Sequence, residues 1–248
     1  MSPDILLFLA AGLIGGAVNA AAGGAKLFVF PLLMASGLPP VAANVTQMVA
    51  LWPPQLLAVW VYRRELLEDA RALAWQMLPA LIGGLGGALA MVSADNETFV
   101  KIVPALLVIA VATIILGPRT TDFMRWAFPG ARLRAATGVL MLAIGFYGGF
   151  FGAGLGFMLL AVLSASSGQG IGRVNGAKNL IASAIQSIAV VPMVLSGLVD
   201  WIAALCVIAG GIVGGYFGAS LARRLPDRLV RWGVALLGVV LTLSFLLG

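Results

Sequence analysis

Apolar segments long enough to span a membrane recur along the whole chain, and they restrict the fold more than any other feature. Segments of roughly 20 residues can cross ~30 Å of hydrocarbon at ~1.5 Å per residue. They predict six full transmembrane helices, at 41–62, 72–92, 99–117, 174–195, 198–221 and 229–247. Of the 248 residues, 61% are hydrophobic and 10% are charged, and the mean hydropathy is +1.07. The sequence therefore predicts an all-α polytopic membrane protein.

Two further apolar stretches, 5–36 and 135–168, are too long for one upright span, and small residues interrupt both. The first contains the segment NAAAGG and the second contains GGFFGAGLG. We expect each stretch to form two short helices that meet at a break. The helices could form a re-entrant hairpin or a simple pair, and the sequence is compatible with both.

The two halves of the chain resemble each other in the order of their glycines. A shift of 133 residues superposes Gly15, Gly16, Gly23, Gly37 and Val41 on Gly148, Gly149, Gly156, Gly170 and Val174. A shift of 131 places Gly83, Gly84 and Gly87 on Gly214, Gly215 and Gly218. The pattern predicts a first membrane repeat at 1–117, a cytoplasmic linker at 118–134 and a second membrane repeat at 135–248.

Basic residues are concentrated in three loops, which the positive-inside rule places in the cytoplasm. They are Arg63, Arg64 and Arg71, then Arg119, Arg125, Arg132 and Arg134, and finally Arg223, Arg224, Arg228 and Arg231. The acidic loop at 93–98 and the turn at Asp200 should face outward. Three full spans per half is an odd number, so the second repeat is predicted to be inverted, with both termini external. Inverted repeats with broken helices are typical of secondary transporters.

The first break is followed at once by a lysine, Lys26. A helix that begins there would bring free N–H groups, the positive end of the helix dipole and an ammonium group to one place. This arrangement favours a bound anion. Lys178 is the corresponding candidate in the second half. Either lysine could instead snorkel to the membrane interface, and Arg173 is interpreted as an ordinary loop residue.

Carboxamide and hydroxyl side chains line one face of each span that follows a break. Spacings of three, four and eight residues align Asn44, Gln47 and Gln55 in one span, and Asn175, Asn179, Ser183 and Gln186 in the other. Such side chains can line a cavity or hold neighbouring helices together. The predicted substrate-binding residues are Lys26, Gly23, Gly24, Asn44, Thr46, Gln47, Gly154, Gly156, Asn175, Lys178, Asn179 and Gln186.

Several chemistries lack the residues that they need. All nine acidic residues lie in loops or at segment ends, there is no histidine, and Cys206 is the single cysteine. A cation carrier or a carboxylate proton relay would need an acidic group at membrane depth. The expected substrate is therefore an anion, moved passively, with protons on the substrate itself, or with a coupling ion. We expect no enzyme activity, no cofactor and no metal.

The segments AAAGGAKLFVFPLL, GLPPVAANVTQ, GFFGAGLGFMLL and GRVNGAKNL resemble the paired signatures of the TauE/SafE sulfite exporter family, also called the toluene sulfonate uptake permease family. The resemblance covers nearly the whole chain. In the first signature, alanines replace glycines, and Ala25 and Lys26 take the place of the usual serine. The resemblance implies a carrier of sulfite, sulfonates or similar sulfur anions in a bacterial or archaeal cytoplasmic membrane.

Two other functions fit the same sequence. A passive anion channel could share this architecture, and an accessory subunit could move nothing by itself. The partners implied are the lipid bilayer and a small anion, with a homo-oligomer as an open alternative. The basic residues need no nucleic-acid partner, because membrane orientation accounts for them.

The charge distribution makes a direct prediction about topology. A reporter fused after Gly248 should be external, and one inserted near Arg125 should be cytoplasmic. Protease accessibility of both reporters in sealed vesicles measures this. A cytoplasmic reporter after Gly248 would contradict the inverted repeat.

Overall fold

The computed structural model describes residues 3–22, 24–61, 70–128, 131–167 and 171–222, with the single positions 233, 236, 239 and 240. Within these residues the chain is helical and has no strand, which confirms the predicted all-α class. The described helices are α1 (Pro3–Ala22), α2 (Lys26–Ala35), α3 (Pro40–Val61), α4 (Ala70–Val92), α5 (Asn96–Ala127), α6 (Ala131–Phe150), α7 (Leu155–Ser167), α8 (Ile171–Leu195) and α9 (Trp201–Ala222). The basic loops at 63–64 and 223–231, Gly23 and almost all of the span predicted at 229–247 lie outside the described residues.

Among the described residues, four helices are long and apolar enough to cross a membrane: Leu73–Val92, Asn96–Gly117, Arg132–Phe150 and Arg173–Leu195. Three of them coincide with predicted spans. The predicted spans at 41–62 and 198–221 correspond to α3 and α9. A multi-pass membrane protein follows from this set of helices.

Both predicted breaks are present where the small residues lie. The first helix of the chain ends at Ala22 and the next begins at Lys26, while α6 ends at Phe150 and α7 begins at Leu155. The expectation that each stretch holds two short helices is wrong. Each contains one helix of 20 residues followed by a short one, of 10 residues in α2 and 13 in α7. The helix before each break begins ahead of the predicted stretch, at Pro3 in the first and at Ala131 in the second, so both reach 20 residues.

Helix α5 begins at a capped end and extends beyond its predicted span. The Asp95 carboxylate accepts a hydrogen bond from the Thr98 backbone N–H at 2.8 Å, which lowers the pKa of that carboxyl. The helix continues to Ala127, through much of the segment predicted as a linker.

Two helix pairs, α1 with α9 and α4 with α6, pack against each other through glycine. On each helix, a Cβ atom added at two glycines four residues apart would collide with the backbone of the partner helix. These glycines are Gly12 and Gly16 on α1, Gly210 and Gly214 on α9, Gly83 and Gly87 on α4, and Gly145 and Gly149 on α6. The absence of side chains lets the two backbones of each pair touch directly.

The contacts in the two pairs follow one pattern. Gly83 lies against the carbonyl of Leu142, and Gly210 lies against the carbonyl of Leu9. Leu142 and Leu9 are 133 positions apart, and Gly83 and Gly210 are 127 apart. These contacts relate α4 to α9 by a shift that is four residues, about one helical turn, smaller than the 131 predicted from the glycines, and the repeat itself stays a prediction. The glycines recur every four residues, so a slip of one turn still aligns glycine with glycine.

An aromatic cluster connects the two breaks in the core. Phe30 of α2 meets Phe151 of the second break edge to face, with ring centroids 5.6 Å apart, and meets Phe99 of α5 at 5.9 Å. All three side chains are fully buried. Edge-to-face pairs of this kind add to the free energy of burial, so they help to hold the breaks together.

The glycine contacts predict opposite effects for two substitutions in α6. Gly145→Ala should destabilise the protein by about 1–3 kcal/mol, because its Cβ would meet the backbone of Ala80. Gly138→Ala should leave stability unchanged or raise it by up to about 1 kcal/mol, because nothing lies within 4 Å of its Cβ. Thermal unfolding in detergent measures both. Equal unfolding temperatures would contradict backbone contact between α4 and α6.

Candidate functional site

The first break delivers Lys26 into the interior of the protein. Helix α2 is buried on every side over its first five residues, and Lys26 is 6% exposed. Its ammonium nitrogen donates a hydrogen bond to the thioether sulfur of Met48 at 2.8 Å. The side chain therefore points into the core. A buried anion site requires this arrangement, whereas a snorkelling lysine would point to the membrane interface.

The second break is a tight loop with two residues in the left-handed region of backbone conformation. Gly152 has a φ of +71° and Gly154 has a φ of +72°, values that favour glycine. The Tyr147 hydroxyl donates to the carbonyl of Ala153 at 2.7 Å and so ties the loop to the helix that precedes it. All residues of the loop are buried.

The two breaks meet at Lys26. A Cβ atom added at Gly152 would collide with the Lys26 ammonium nitrogen. The absence of a side chain at Gly152 is therefore what admits the ammonium group to the second break. The expectation that the breaks form one site is consistent with this contact, although Gly152 itself was not among the predicted residues.

The start of α7 offers hydrogen-bond donors to the same place. Among the described residues, the N–H groups of Ala153, Gly154 and Gly156 have no backbone acceptor. Free N–H groups at a helix N-terminus attract an anion. Lys178 runs alongside, because its Cδ lies 3.8 Å from the position of a Cβ at Gly156. Both predicted lysines thus flank the beginning of α7.

One face of α3 completes the site with a chain of hydrogen bonds. The Asn44 amide nitrogen donates to the carbonyl of Phe150 at 2.9 Å and lies 3.0 Å from the sulfur of Met91. The Gln47 amide nitrogen donates to the Asn44 side-chain oxygen at 2.9 Å. Asn44 and Gln47 are fully buried, so the predicted polar face of α3 reaches the second break.

Other predicted residues lie in different surroundings. The Thr46 hydroxyl accepts a hydrogen bond from the backbone N–H of Asp200 at 3.0 Å and anchors the turn before α9. Gln186 is 5% exposed on α8, and Asn175 and Asn179 are half-buried there beside Lys178. Gly24 precedes α2, and its carbonyl accepts from Leu27 at 3.1 Å. No described contact joins Thr46, Gln186 or the two asparagines to Lys26.

The remaining polar side chains hold α3 to α8. The Trp52 indole N–H donates to the Ser187 hydroxyl at 2.9 Å, and the Ser183 hydroxyl donates to the carbonyl of Gln55 at 3.3 Å. The Asn19 amide donates to the Gln55 side chain at 3.3 Å and so joins α1 to α3. At Ser183 and Gln55 the polar face therefore serves helix packing.

Sequence reasoning missed Met48, Gly152 and Tyr147. Methionine carries no polar signal in a membrane sequence, and its role depends on which side chain it meets. The GGFFGAGLG segment did mark Gly152 as part of a break, but only the fold shows that Lys26 lies against it.

The chain is similar over nearly its whole length to one family model and to membrane transporter proteins. The family model described as "Sulfite exporter TauE/SafE" matches residues 8–245. A protein of Haemophilus influenzae named "Probable membrane transporter protein" is 25% identical over 249 residues, covering 96% of this chain and 93% of its own. The Escherichia coli K12 protein named "Probable membrane transporter protein YfcA" is 21% identical, covering 98% and 88%. No solved structure matches the chain.

The second break predicts different tolerance at two of its glycines. Gly152→Ala should lower the unfolding free energy by about 1–3 kcal/mol, since its backbone is left-handed and its Cβ would displace the Lys26 ammonium. Gly156→Ala should fold with near-normal stability, because the nearest atom would lie at an ordinary 3.8 Å. Thermal unfolding of the purified variants measures this, and equal stability would argue against the Lys26–Gly152 contact.

Proposed function

The chain belongs to the sulfite exporter TauE/SafE family of membrane transporters, and we propose that it carries small anions across a bacterial or archaeal cytoplasmic membrane. The proposed substrates are sulfur oxyanions such as sulfite and short organosulfonates, and the proposed direction is export. The family description names a sulfite exporter, and the polar groups at the breaks suit an oxyanion.

The observation that carries this proposal is the buried Lys26 ammonium. Within the described residues, Lys26 is the buried side chain that bears a charge. Its hydrogen-bond acceptor is a thioether, which is weak compared with a carboxylate. A charged group without a counter-charge in the membrane interior costs about 2.5–3.5 kcal/mol or more. An anion bound between Lys26 and the start of α7 would offset that cost and gain charge-assisted hydrogen bonds.

The proposed binding set contains the groups that meet at the breaks. Lys26, Asn44 and Gln47 approach from α2 and α3, and Gly154 and Gly156 supply backbone donors from the second break. Lys178 lies at the edge of the set. Gly23, Gly24, Thr46, Asn175, Asn179 and Gln186 remain proposed residues of a wider substrate path.

The proposed architecture is two inverted repeats, each built from a broken stretch and three transmembrane helices, and the helix contacts support a two-fold relation between them. Helix α1 packs on α9 as α6 packs on α4, and α3 packs on α9 as α8 packs on α4. Helices α3 and α8 cross each other between these pairs. When two repeats are related by a two-fold axis, a helix of one repeat and its equivalent in the other pack on equivalent partners. Inverted repeats let a carrier open to each side of the membrane in turn.

Burial of the breaks favours a carrier over a channel. Lys26 and the whole second break are enclosed by protein, so a bound anion would be shielded from both sides at once. A carrier needs such a closed state in its cycle. Single-channel recording of the purified protein tests this, because unitary anion currents would identify a channel.

Substitution of Lys26 tests the proposed function directly. Lys26→Met should weaken binding of sulfite or methanesulfonate by about one to two orders of magnitude, about 1.5–3 kcal/mol. Lys26→Arg should recover part of the loss, because it keeps the charge but changes the donor geometry. Without anion, Lys26→Met should be at least as thermally stable as the wild type, because the unpaired charge is gone. Isothermal titration and thermal shift of the purified proteins provide both measurements.

Lys101→Met is the matched control. Lys101 is an exposed lysine that forms an ion pair with Glu97 at 2.6 Å, so its loss should leave anion affinity unchanged. An unchanged dissociation constant for Lys26→Met would remove Lys26 from the site and end the proposal. If the purified wild type shows no anion binding and no thermal shift with anions, an accessory subunit would be favoured instead.

A further inference from the structure

The direction of the hydrogen bonds on α3 is determined by a backbone carbonyl. The Phe150 carbonyl can only accept, so the side chain of Asn44 must present its amide nitrogen to it. The Asn44 side-chain oxygen is then left to accept, and the Gln47 amide nitrogen donates to it at 2.9 Å. Reversing either amide would bring two donors or two acceptors together.

This chain of bonds leaves the Gln47 side-chain oxygen as an acceptor at its end. That oxygen is fully buried and has no donor among the described residues. Buried polar atoms in proteins are nearly always paired, so an unpaired acceptor in the interior calls for an explanation. Gln47 cannot rotate its amide group to pair this oxygen, because its amide nitrogen donates to the Asn44 side-chain oxygen.

The unpaired oxygen and the Lys26 ammonium belong to one cluster. Asn44, Gln47 and Met48 are three and four residues apart and share a face of α3. Met48 receives the Lys26 hydrogen bond, and both Asn44 and Lys26 contact the second break. The α3 face therefore carries a hydrogen-bond acceptor, Gln47, next in sequence to the methionine that receives the positively charged Lys26 of α2.

These two groups make different demands on a ligand. The ammonium group attracts negatively charged oxygen, whereas a carbonyl oxygen repels it unless a hydrogen atom lies between them. A fully deprotonated oxyanion can satisfy only the first group. A ligand that carries both a negative charge and an O–H group satisfies both.

We propose that this site selects the singly charged hydrogen form of an oxyanion, which donates its own O–H to the Gln47 side-chain oxygen while its charged oxygens face Lys26. The inference rests on the proposed function and narrows its substrates to hydrogen oxyanions such as hydrogen sulfite, ahead of organosulfonates, whose anions carry no O–H group. It also gives proton movement a route that uses no carboxylate or histidine of the chain, because the proton crosses on the substrate.

Two probes of the same shape and charge test the inference. Methylphosphonate and methanesulfonate each carry one negative charge at a mildly acidic pH, and they differ in one O–H group. Both are titrated into the purified full chain at the same pH, so no side chain changes its charge between the two measurements. The wild type should bind methylphosphonate about tenfold more tightly than methanesulfonate. Methanesulfonate has no O–H group to donate, so it leaves the Gln47 side-chain oxygen unpaired.

Gln47→Met should remove that preference. It should weaken methylphosphonate binding about tenfold relative to methanesulfonate, so that the two probes bind with equal affinity. Gln76→Met is the control, because Gln76 is also buried but donates to Ser166 near the other end of α7, and it should keep the preference.

The outcomes separate this inference from the proposed function. Equal affinity for the two probes in the wild type would overturn the inference, and this comparison does not depend on any variant folding. Equal weakening of both probes by Gln47→Met would also overturn it, since a structural or water-binding role would have that effect. If neither probe binds, or if binding ignores Lys26→Met, the proposed function itself fails.

Discussion

The cost of a positive charge in a low-dielectric interior is the constraint on which the centre of this structure depends. Lys26 is almost fully buried, and the atom that receives its hydrogen bond is a sulfur of low basicity. Such a charge is tolerated only where the surroundings supply compensating dipoles or an ion. The left-handed loop at Gly152 lies against that group, the free N–H groups follow this loop, and the amide chain on α3 ends at the carbonyl of Phe150 just before it.

Glycine supplies the rigidity that this arrangement needs. In the α1–α9 and α4–α6 pairs, glycines bring two backbones into direct contact, and close-packed backbones have few alternative arrangements. The breaks lie beside these pairs and are joined to each other by Phe30 and Phe151. A non-helical segment placed between firm supports can keep a defined geometry without being part of a long regular helix.

Sequence reasoning succeeded for features that the local sequence determines, and it failed for features that depend on contacts with other helices. The family resemblance, the all-helical class and the position of both breaks were correct, because apolar length and runs of small residues act locally. Helix lengths around the breaks were wrong, since the helix before each break begins ahead of the predicted apolar stretch, at Pro3 and at Ala131. The predicted shift of 131 differs by one turn from the 127 positions that the helix contacts relate, because glycine recurs every four residues.

The polar residues show the same division. The spacing of Asn44 and Gln47 predicted a common face, and that face exists. Thr46, only one residue from Gln47, points instead to the turn at Asp200, a contact between positions 154 residues apart that no spacing rule can foresee. The role of Met48 was not predicted, because a thioether becomes a hydrogen-bond acceptor only when the fold brings a donor to it.

Helix α5 has a mechanical consequence for the molecule. Its 32 residues make a rod of about 48 Å at ~1.5 Å per residue, well beyond the ~30 Å of hydrocarbon. Past the apolar part of that rod, the Thr121 hydroxyl donates to the carbonyl of Ala161 on α7 at 3.1 Å. Near the middle of the rod, Ala110 lies 3.3–3.4 Å from where a Cβ at Gly154 would be. Helix α5 therefore contacts both α7, at Ala161, and the second break, at Gly154, so a tilt of this one stiff helix would press on both.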